Sequence, residues 1–88
     1  MGQLQKFLLS LLSGREDQNI RFADLLKLLE YYKFNVRIKG SHHICTRADV
    51  VEIINLQPAG GMAKPYQVKQ VRELVVKYKL ATKEFDDE

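Results

Sequence analysis

The chain has 88 residues, of which 45% are hydrophobic and 28% are charged. A length of this order predicts one small globular domain with a modest core, and no apolar run approaches the ~20 residues that a membrane-spanning helix needs. The single cysteine, Cys45, excludes an internal disulfide and is typical of a chain that works in the reducing cytoplasm.

The basic charge is concentrated in the body of the chain. The net charge is +3, but four of the eleven acidic residues lie in the last five positions, so residues 1–83 carry fourteen basic against seven acidic residues. Such an excess favours a polyanionic partner, often nucleic acid; a generally solvated basic surface is the alternative. We predict one domain over residues 1–83 and an acidic tail over residues 84–88 that is expected to be disordered.

Two amphipathic helices are predicted before any strand. Leucines at positions 4, 8, 11 and 12 repeat at helical spacing, which predicts a helix over residues 3–13 that ends at Ser13-Gly14. A second apolar face, with Asp24 near its start, predicts a helix from about Phe22 to Tyr32.

The apolar period then changes to two, which predicts a first strand. Phe34, Val36 and Ile38 alternate with polar or basic residues, so these three are expected to face the core of a half-buried strand. The same alternation leaves Arg37 and Lys39 on the outward face.

Two more strands and a helix complete the predicted fold. The strands, His42–Arg47 and Val50–Leu56, have short connections, which implies an antiparallel meander. Pro65 suits the first position of a last helix. The apolar face of that helix is predicted to be Val68, Val71, Leu74, Val75 and Tyr78, and its polar side Gln67, Lys69, Gln70, Arg72 and Lys77. The predicted class is α+β: a three-stranded antiparallel sheet packed on helices, with its other face open to water or a ligand.

The only two histidines, His42 and His43, follow a corner at Gly40-Ser41. Because strand alternation sends neighbouring side chains to opposite faces, the two cannot both point into one site. His43 and Cys45 share a face, but a structural zinc site needs four ligands and no partner motif is present, so we predict no metal site. The pattern alone does not decide which histidine is exposed, since Ile44 prefers burial and shares the face of His42.

The segment Arg37-Ile38-Lys39-Gly40-Ser41-His42-His43 resembles the HicA family of bacterial toxins, also called the YcfA-like family. In that family a helix and an aromatic strand lead to a basic-x-basic-Gly-Ser-His run, followed by two strands and a final helix. Residues from about Phe22 to Leu80 match this order and spacing. The resemblance implies a double-stranded-RNA-binding-like fold, to which this chain adds an N-terminal helix. The chain also departs from the family pattern at Asn55–Pro58 and at Ala63–Gln67.

The resemblance implies the toxin of a type II toxin–antitoxin system, a metal-independent endoribonuclease that cleaves mRNA without a cofactor. Its catalytic histidine directly follows Gly-Ser and is His42 here, which turns His43 and Cys45 toward the helices. The implied partners are mRNA and a HicB-like antitoxin protein. The expected RNA-binding residues are Arg37, Lys39, Gly40, Ser41, Lys64, Lys69 and Arg72.

The residue types suit this chemistry. An imidazole can take the proton of a ribose 2′-hydroxyl or protonate the leaving 5′-oxygen, while Arg37 and Lys39 offset charge on the phosphorane. Glu52 is a candidate second acid or base, with a solvated carboxylate as the alternative. Two other functions stay open: a non-catalytic RNA-binding module of the same fold, and an interaction domain whose leucine-rich N-terminal helix docks a partner unless its leucines fill their own core.

Overall fold

The structure, a computed structural model, describes residues 2–82; the predicted acidic tail at 84–88 lies outside the described residues. The elements in chain order are α1 (Gln3–Ser13), α2 (Phe22–Tyr31), β1 (Asn35–Lys39), β2 (His42–Arg47), β3 (Val50–Leu56), α3 (Pro65–Lys77) and a short 3-10 helix (Leu80–Thr82). The strands form an antiparallel sheet in the order β1-β2-β3, which confirms the predicted α+β class and meander. None of the helices within residues 2–82 has the length and apolarity to span a membrane.

Helix α1 belongs to the domain core. Leu8 and Leu11 are buried in the same cluster as the apolar faces of α2 and α3. The helix ends at Gly14, whose φ of 72° lies in the left-handed region and whose N–H donates to the carbonyl of Leu11 at 3.3 Å. Leu4, Leu8 and Leu11 therefore pack on the core of their own domain, as the alternative to the docking hypothesis expected.

The helices cover one face of the sheet and leave the other open. Cys45 of β2 and Ile54 and Leu56 of β3 are fully buried on the covered face, where the register pairs Cys45 with Ile54. Arg37 and Lys39 of β1 are exposed. Their outward placement is the one that strand alternation predicted.

Ile38 departs from the predicted inward set. Phe34 is buried and Val36 packs against the core, but Ile38 is 67% exposed. It lies on the covered side of the sheet, opposite His43, near the end of the edge strand β1. The prediction of a buried Ile38 is wrong because alternation decides which face a side chain takes, and not whether a second layer reaches it.

Arg72 holds α3 to α1 and to the loop that follows α1. Its guanidinium donates to both carboxylate oxygens of Asp17, at 2.8 and 3.0 Å, and to the carbonyl of Leu11 at 3.2 Å. Both side chains of the ion pair are mostly buried. Arg72 is therefore occupied inside the protein, which contradicts its prediction as an RNA-binding residue.

Glu52 links β3 to the end of α3. Its carboxylate accepts hydrogen bonds from the Lys77 ammonium at 2.6 Å and from the Tyr78 hydroxyl at 2.7 Å. The same hydroxyl accepts from the N–H of Val51 at 3.2 Å. The hydrogen bonds from Lys77 and then Tyr78 lower the pKa of Glu52 to about 2.

We predict that Arg72→Ala lowers the free energy of unfolding by about 1–3 kcal/mol, because it leaves the Asp17 carboxylate and the Leu11 carbonyl without their donor. Urea denaturation measures the change. The matched control is Lys69→Ala, which removes an exposed cation from the same helix and is expected to leave stability nearly unchanged. Equal stability of the two variants would contradict a structural role for Arg72.

We predict that the stability contributed by Glu52 depends on pH. Since folding lowers the pKa of Glu52 from its ordinary value of 4.5 to about 2, this contribution is complete above the ordinary value and disappears as pH falls toward the folded one. Glu52→Gln should lower the urea midpoint at pH 7 and lose less stability than the wild type between pH 5 and pH 2. Glu73→Gln, on the exposed side of α3, serves as the control. A Glu52→Gln variant that loses as much stability as the wild type in this range would exclude the link as its source.

Candidate functional site

A two-residue corner joins β1 to β2. Lys39 and His42 are cross-strand partners, so Gly40 and Ser41 are the only residues between the paired positions. Gly40 has a φ of 63°, and a glycine at the first position of a two-residue hairpin is the type II′ pattern. A side chain at Gly40 would meet no atom within 4 Å. Glycine is therefore required here by the backbone conformation, and not by a lack of space for a side chain.

His42 lies on the open face of the sheet and is exposed. Its Nδ1 is 3.0 Å from Oδ1 of Asn55, which is also exposed near the end of β3. The structure shows no hydrogen-bond partner for Nε2 within residues 2–82. One ring nitrogen is therefore held by the sheet, and the other is available to a ligand.

His43 takes the opposite face, which resolves the choice that the sequence pattern left open. Its ring packs edge-on against Phe22, with 4.8 Å between the ring centroids and a 70° angle between the planes. Its Nδ1 is buried without a hydrogen-bond partner among the described residues. His43 is a partly buried histidine packed on the helical side of the sheet, so His42 is the histidine that a substrate can reach.

Cys45 is not available for nucleophilic chemistry. The side chain is fully buried beside His43, and its Sγ lies 3.7 Å from the carbonyl oxygen of that residue. Burial, with the charge of Glu30 as a smaller cause, raises the pKa of the thiol to about 11. The thiol therefore stays protonated at neutral pH. Within residues 2–82, no group of three or more His, Cys, Asp or Glu side chains is arranged to hold a metal ion.

Two basic side chains share the open face with His42. Lys39 is the direct cross-strand partner of His42, and Arg37 is paired with Ile44, two positions further along β2 on the same face. Both cations are exposed. The structure thus brings together Arg37, Lys39, Gly40, Ser41 and His42, five of the predicted site residues.

The predicted cations of the last helix are placed differently. Helix α3 packs on the covered side of the sheet, so Lys69, exposed on that helix, belongs to the layer opposite the open face. Arg72 is bound to Asp17. Lys64 is the residue immediately before α3, at the end of the loop that follows β3. A continuous stripe from the corner to Lys69 and Arg72 is not formed.

Glu52 is likewise separated from His42. Residues of β3 alternate between faces, and Asn55, opposite Ile44, takes the open face. Glu52 points to the helical layer, where Lys77 and Tyr78 bind it. It therefore does not supply a second acid or base beside His42. Its carboxylate is 37% exposed, as the alternative interpretation of a solvated carboxylate expected, and it is also paired with Lys77 and Tyr78.

The support of the corner comes from residues that the sequence analysis did not select. Gln57, just after β3, donates from Nε2 to Oγ of Ser41 at 2.8 Å. Its own backbone is held by the side-chain amide of Gln67. With the amide O and N assigned so that each faces its complementary partner, the oxygen accepts from the Gln57 N–H at 2.8 Å and the nitrogen donates to the Gln57 carbonyl at 3.2 Å. The Ser41 hydroxyl is thus engaged within the protein, in shaping the corner.

Gln67 is completely buried, so its assignment to the polar side of the last helix is wrong. A signal for burial was present, because positions 67, 71 and 74 repeat at the i, i+4, i+7 spacing of one helical face. The prediction nevertheless placed Gln67 on the polar side of the helix because its side chain is polar. Its burial is possible because both ends of the amide are paired with the Gln57 backbone.

We predict that Gln67→Met lowers the free energy of unfolding by about 1–3 kcal/mol, since it keeps the side-chain volume but leaves the Gln57 N–H and carbonyl unpaired. Gln70→Met, at a partly exposed position of the same helix, is the control and should have little effect. Urea unfolding of the three proteins measures the difference. A Gln67→Met protein as stable as the Gln70→Met protein would show that the amide pairing contributes nothing.

Comparison with known proteins gives no identification for this site. No family model, no curated protein and no solved structure matches the chain. The function proposed below is therefore supported by the geometry of the corner and by the resemblance of its Gly-Ser-His segment to the HicA family.

Proposed function

We propose that this protein is a HicA-like toxin of a type II toxin–antitoxin system, a metal-independent endoribonuclease that cleaves mRNA with His42 as its catalytic residue. The observation that carries the proposal is the Gly40-Ser41-His42 corner, which presents an exposed imidazole beside two exposed cations, Arg37 and Lys39. The arrangement of three antiparallel strands between α2 and α3 is compatible with the double-stranded-RNA-binding-like fold of that family.

The reaction that suits these groups is attack of a ribose 2′-oxygen on the adjacent phosphorus. The new O2′–P bond forms as the P–O5′ bond breaks, which gives a 2′,3′-cyclic phosphate and a free 5′-hydroxyl. Nε2 of His42 takes the 2′-hydroxyl proton, and solvent supplies a proton to the leaving oxygen. Arg37 and Lys39 stabilise the charge that develops on the phosphoryl oxygens.

The proposed partners are mRNA and a HicB-like antitoxin that covers the His42 face in the cytoplasm. The apolar residues of that face support a protein partner: Val51 is 87% exposed and Ile53 is 64% exposed, and both share the face of Asn55 by strand alternation. Side chains of this kind on an open sheet face are suited to burial against another protein.

A non-catalytic RNA-binding module is the second candidate. The observation that favours it is that no second acid or base contacts His42 among the described residues, whereas Arg37 and Lys39 suffice to bind phosphate. Affinity for RNA would then fall steeply with salt concentration, and His42 would contribute no more than any other polar contact.

We predict that the purified protein cleaves a labelled single-stranded RNA in the presence of EDTA, and that His42→Ala lowers the rate at least about hundredfold, as expected for loss of a general base. His43→Phe is the matched control, because it removes the neighbouring imidazole and keeps an aromatic ring against Phe22. It should retain cleavage. Melting temperatures of all three proteins verify that they fold.

Cleavage that survives His42→Ala and disappears in a folded His43→Phe protein would overturn the assignment of the catalytic residue. A wild type that binds RNA in a salt-sensitive manner but never cuts it would replace the enzyme by the binding module. Cutting that requires a divalent cation would exclude the metal-independent mechanism.

A further inference from the structure

The end of β3 supports the corner through two separate side-chain contacts. Asn55 is the cross-strand partner of Ile44, so on the open face it lies diagonal to His42, within reach of a long side chain. Its Oδ1 is 3.0 Å from Nδ1 of the imidazole. Gln57 holds Ser41 at 2.8 Å. The ring of His42 and the turn that carries it are thus both bound to the same strand end.

We propose that Asn55 is the positioning residue of His42, which fixes the ring tautomer that the cleavage reaction needs; this inference rests on the proposed ribonuclease function. An amide oxygen can only accept a hydrogen bond, so the neutral ring must carry its proton on Nδ1. Nε2 then presents its lone pair to solvent. That nitrogen is the one able to take a proton from a ribose 2′-hydroxyl.

The contact also restrains the direction of the ring. His42 is exposed, and no hydrogen bond other than the one that its ring donates to Asn55 holds its imidazole among the described residues. Without Asn55 the ring is free to rotate about its side-chain torsions and to move its proton between the two nitrogens.

The opposite orientation of the Asn55 amide would select the other tautomer of His42. If Nδ2 faced the ring, it would donate to Nδ1, and the proton of the neutral imidazole would sit on Nε2. The ring would then be unable to act as a base at its exposed nitrogen. Two-bond ¹H–¹⁵N spectra distinguish these cases, because protonated and bare ring nitrogens differ widely in ¹⁵N shift.

The first experiment records those spectra on the full-length wild type at alkaline pH, where an imidazole is neutral. We expect Nδ1 of His42 to be protonated and Nε2 to be bare. In Asn55→Ala, the two shifts should move toward each other as the tautomers mix. Asn35→Ala is the matched control, since Asn35 is exposed at the far end of the same sheet face, and it should leave the spectrum unchanged.

The second experiment measures RNA cleavage by the same variants. We expect Asn55→Ala to lower kcat about tenfold to hundredfold with little change in KM, and Asn35→Ala to behave as the wild type. Asn55→Asp keeps the acceptor and should restore most of the rate at high pH. The acidic limb of its pH–rate profile should move to higher pH by about half to one unit, because a carboxylate favours the protonated ring and the reaction needs the neutral one.

A wild-type ring protonated on Nε2, or equal kcat in the Asn55→Ala and Asn35→Ala proteins, would overturn the role of Asn55 while cleavage itself stands. A wild type with the expected tautomer but no cleavage would overturn the proposed function, and with it the role of Asn55 in positioning His42 for cleavage. The two failures are therefore distinguishable.

Discussion

A three-stranded sheet with only one covered face is the constraint on which the rest of this structure depends. Successive side chains of a strand take opposite faces, so burial of Cys45 in the core turns His43 inward and His42 outward. Since β1 is paired in register with β2, the same choice places Lys39 beside His42. The burial of Cys45 therefore decides which side chains share the open face with His42.

The corner itself is weakly restrained by its own residues and depends on the strand across the sheet. Gly40 permits the tight turn, but contacts from Asn55 and Gln57 hold the side chains of His42 and Ser41. Gln57 in turn is fixed by the buried amide of Gln67. A polar connection therefore leads from the core of the domain to the exposed site, and it costs little because both ends of the buried Gln67 amide are paired.

The strong basic character of the chain is only partly available to a polyanionic ligand. Arg72 is bound to Asp17, and Lys77 is bound to Glu52, so these two cations stabilise the packing of α3. Arg37 and Lys39 remain exposed on the open face. The RNA surface that we propose is accordingly compact and centred on the corner, and it does not extend along the last helix.

The sequence by itself determined the elements, their order and the divergence of the two histidines, because apolar periodicity and strand alternation are local properties of the chain. It did not determine which histidine is exposed, since both phases of β2 satisfy the same pattern. The tertiary structure decided that choice, and it decided the positions of Gln67, Arg72 and Asn55. Asn55 meets His42 across 13 residues of sequence, and Arg72 meets Asp17 across 55. Contacts at such separations depend on how sheet and helices pack, which periodicity does not encode.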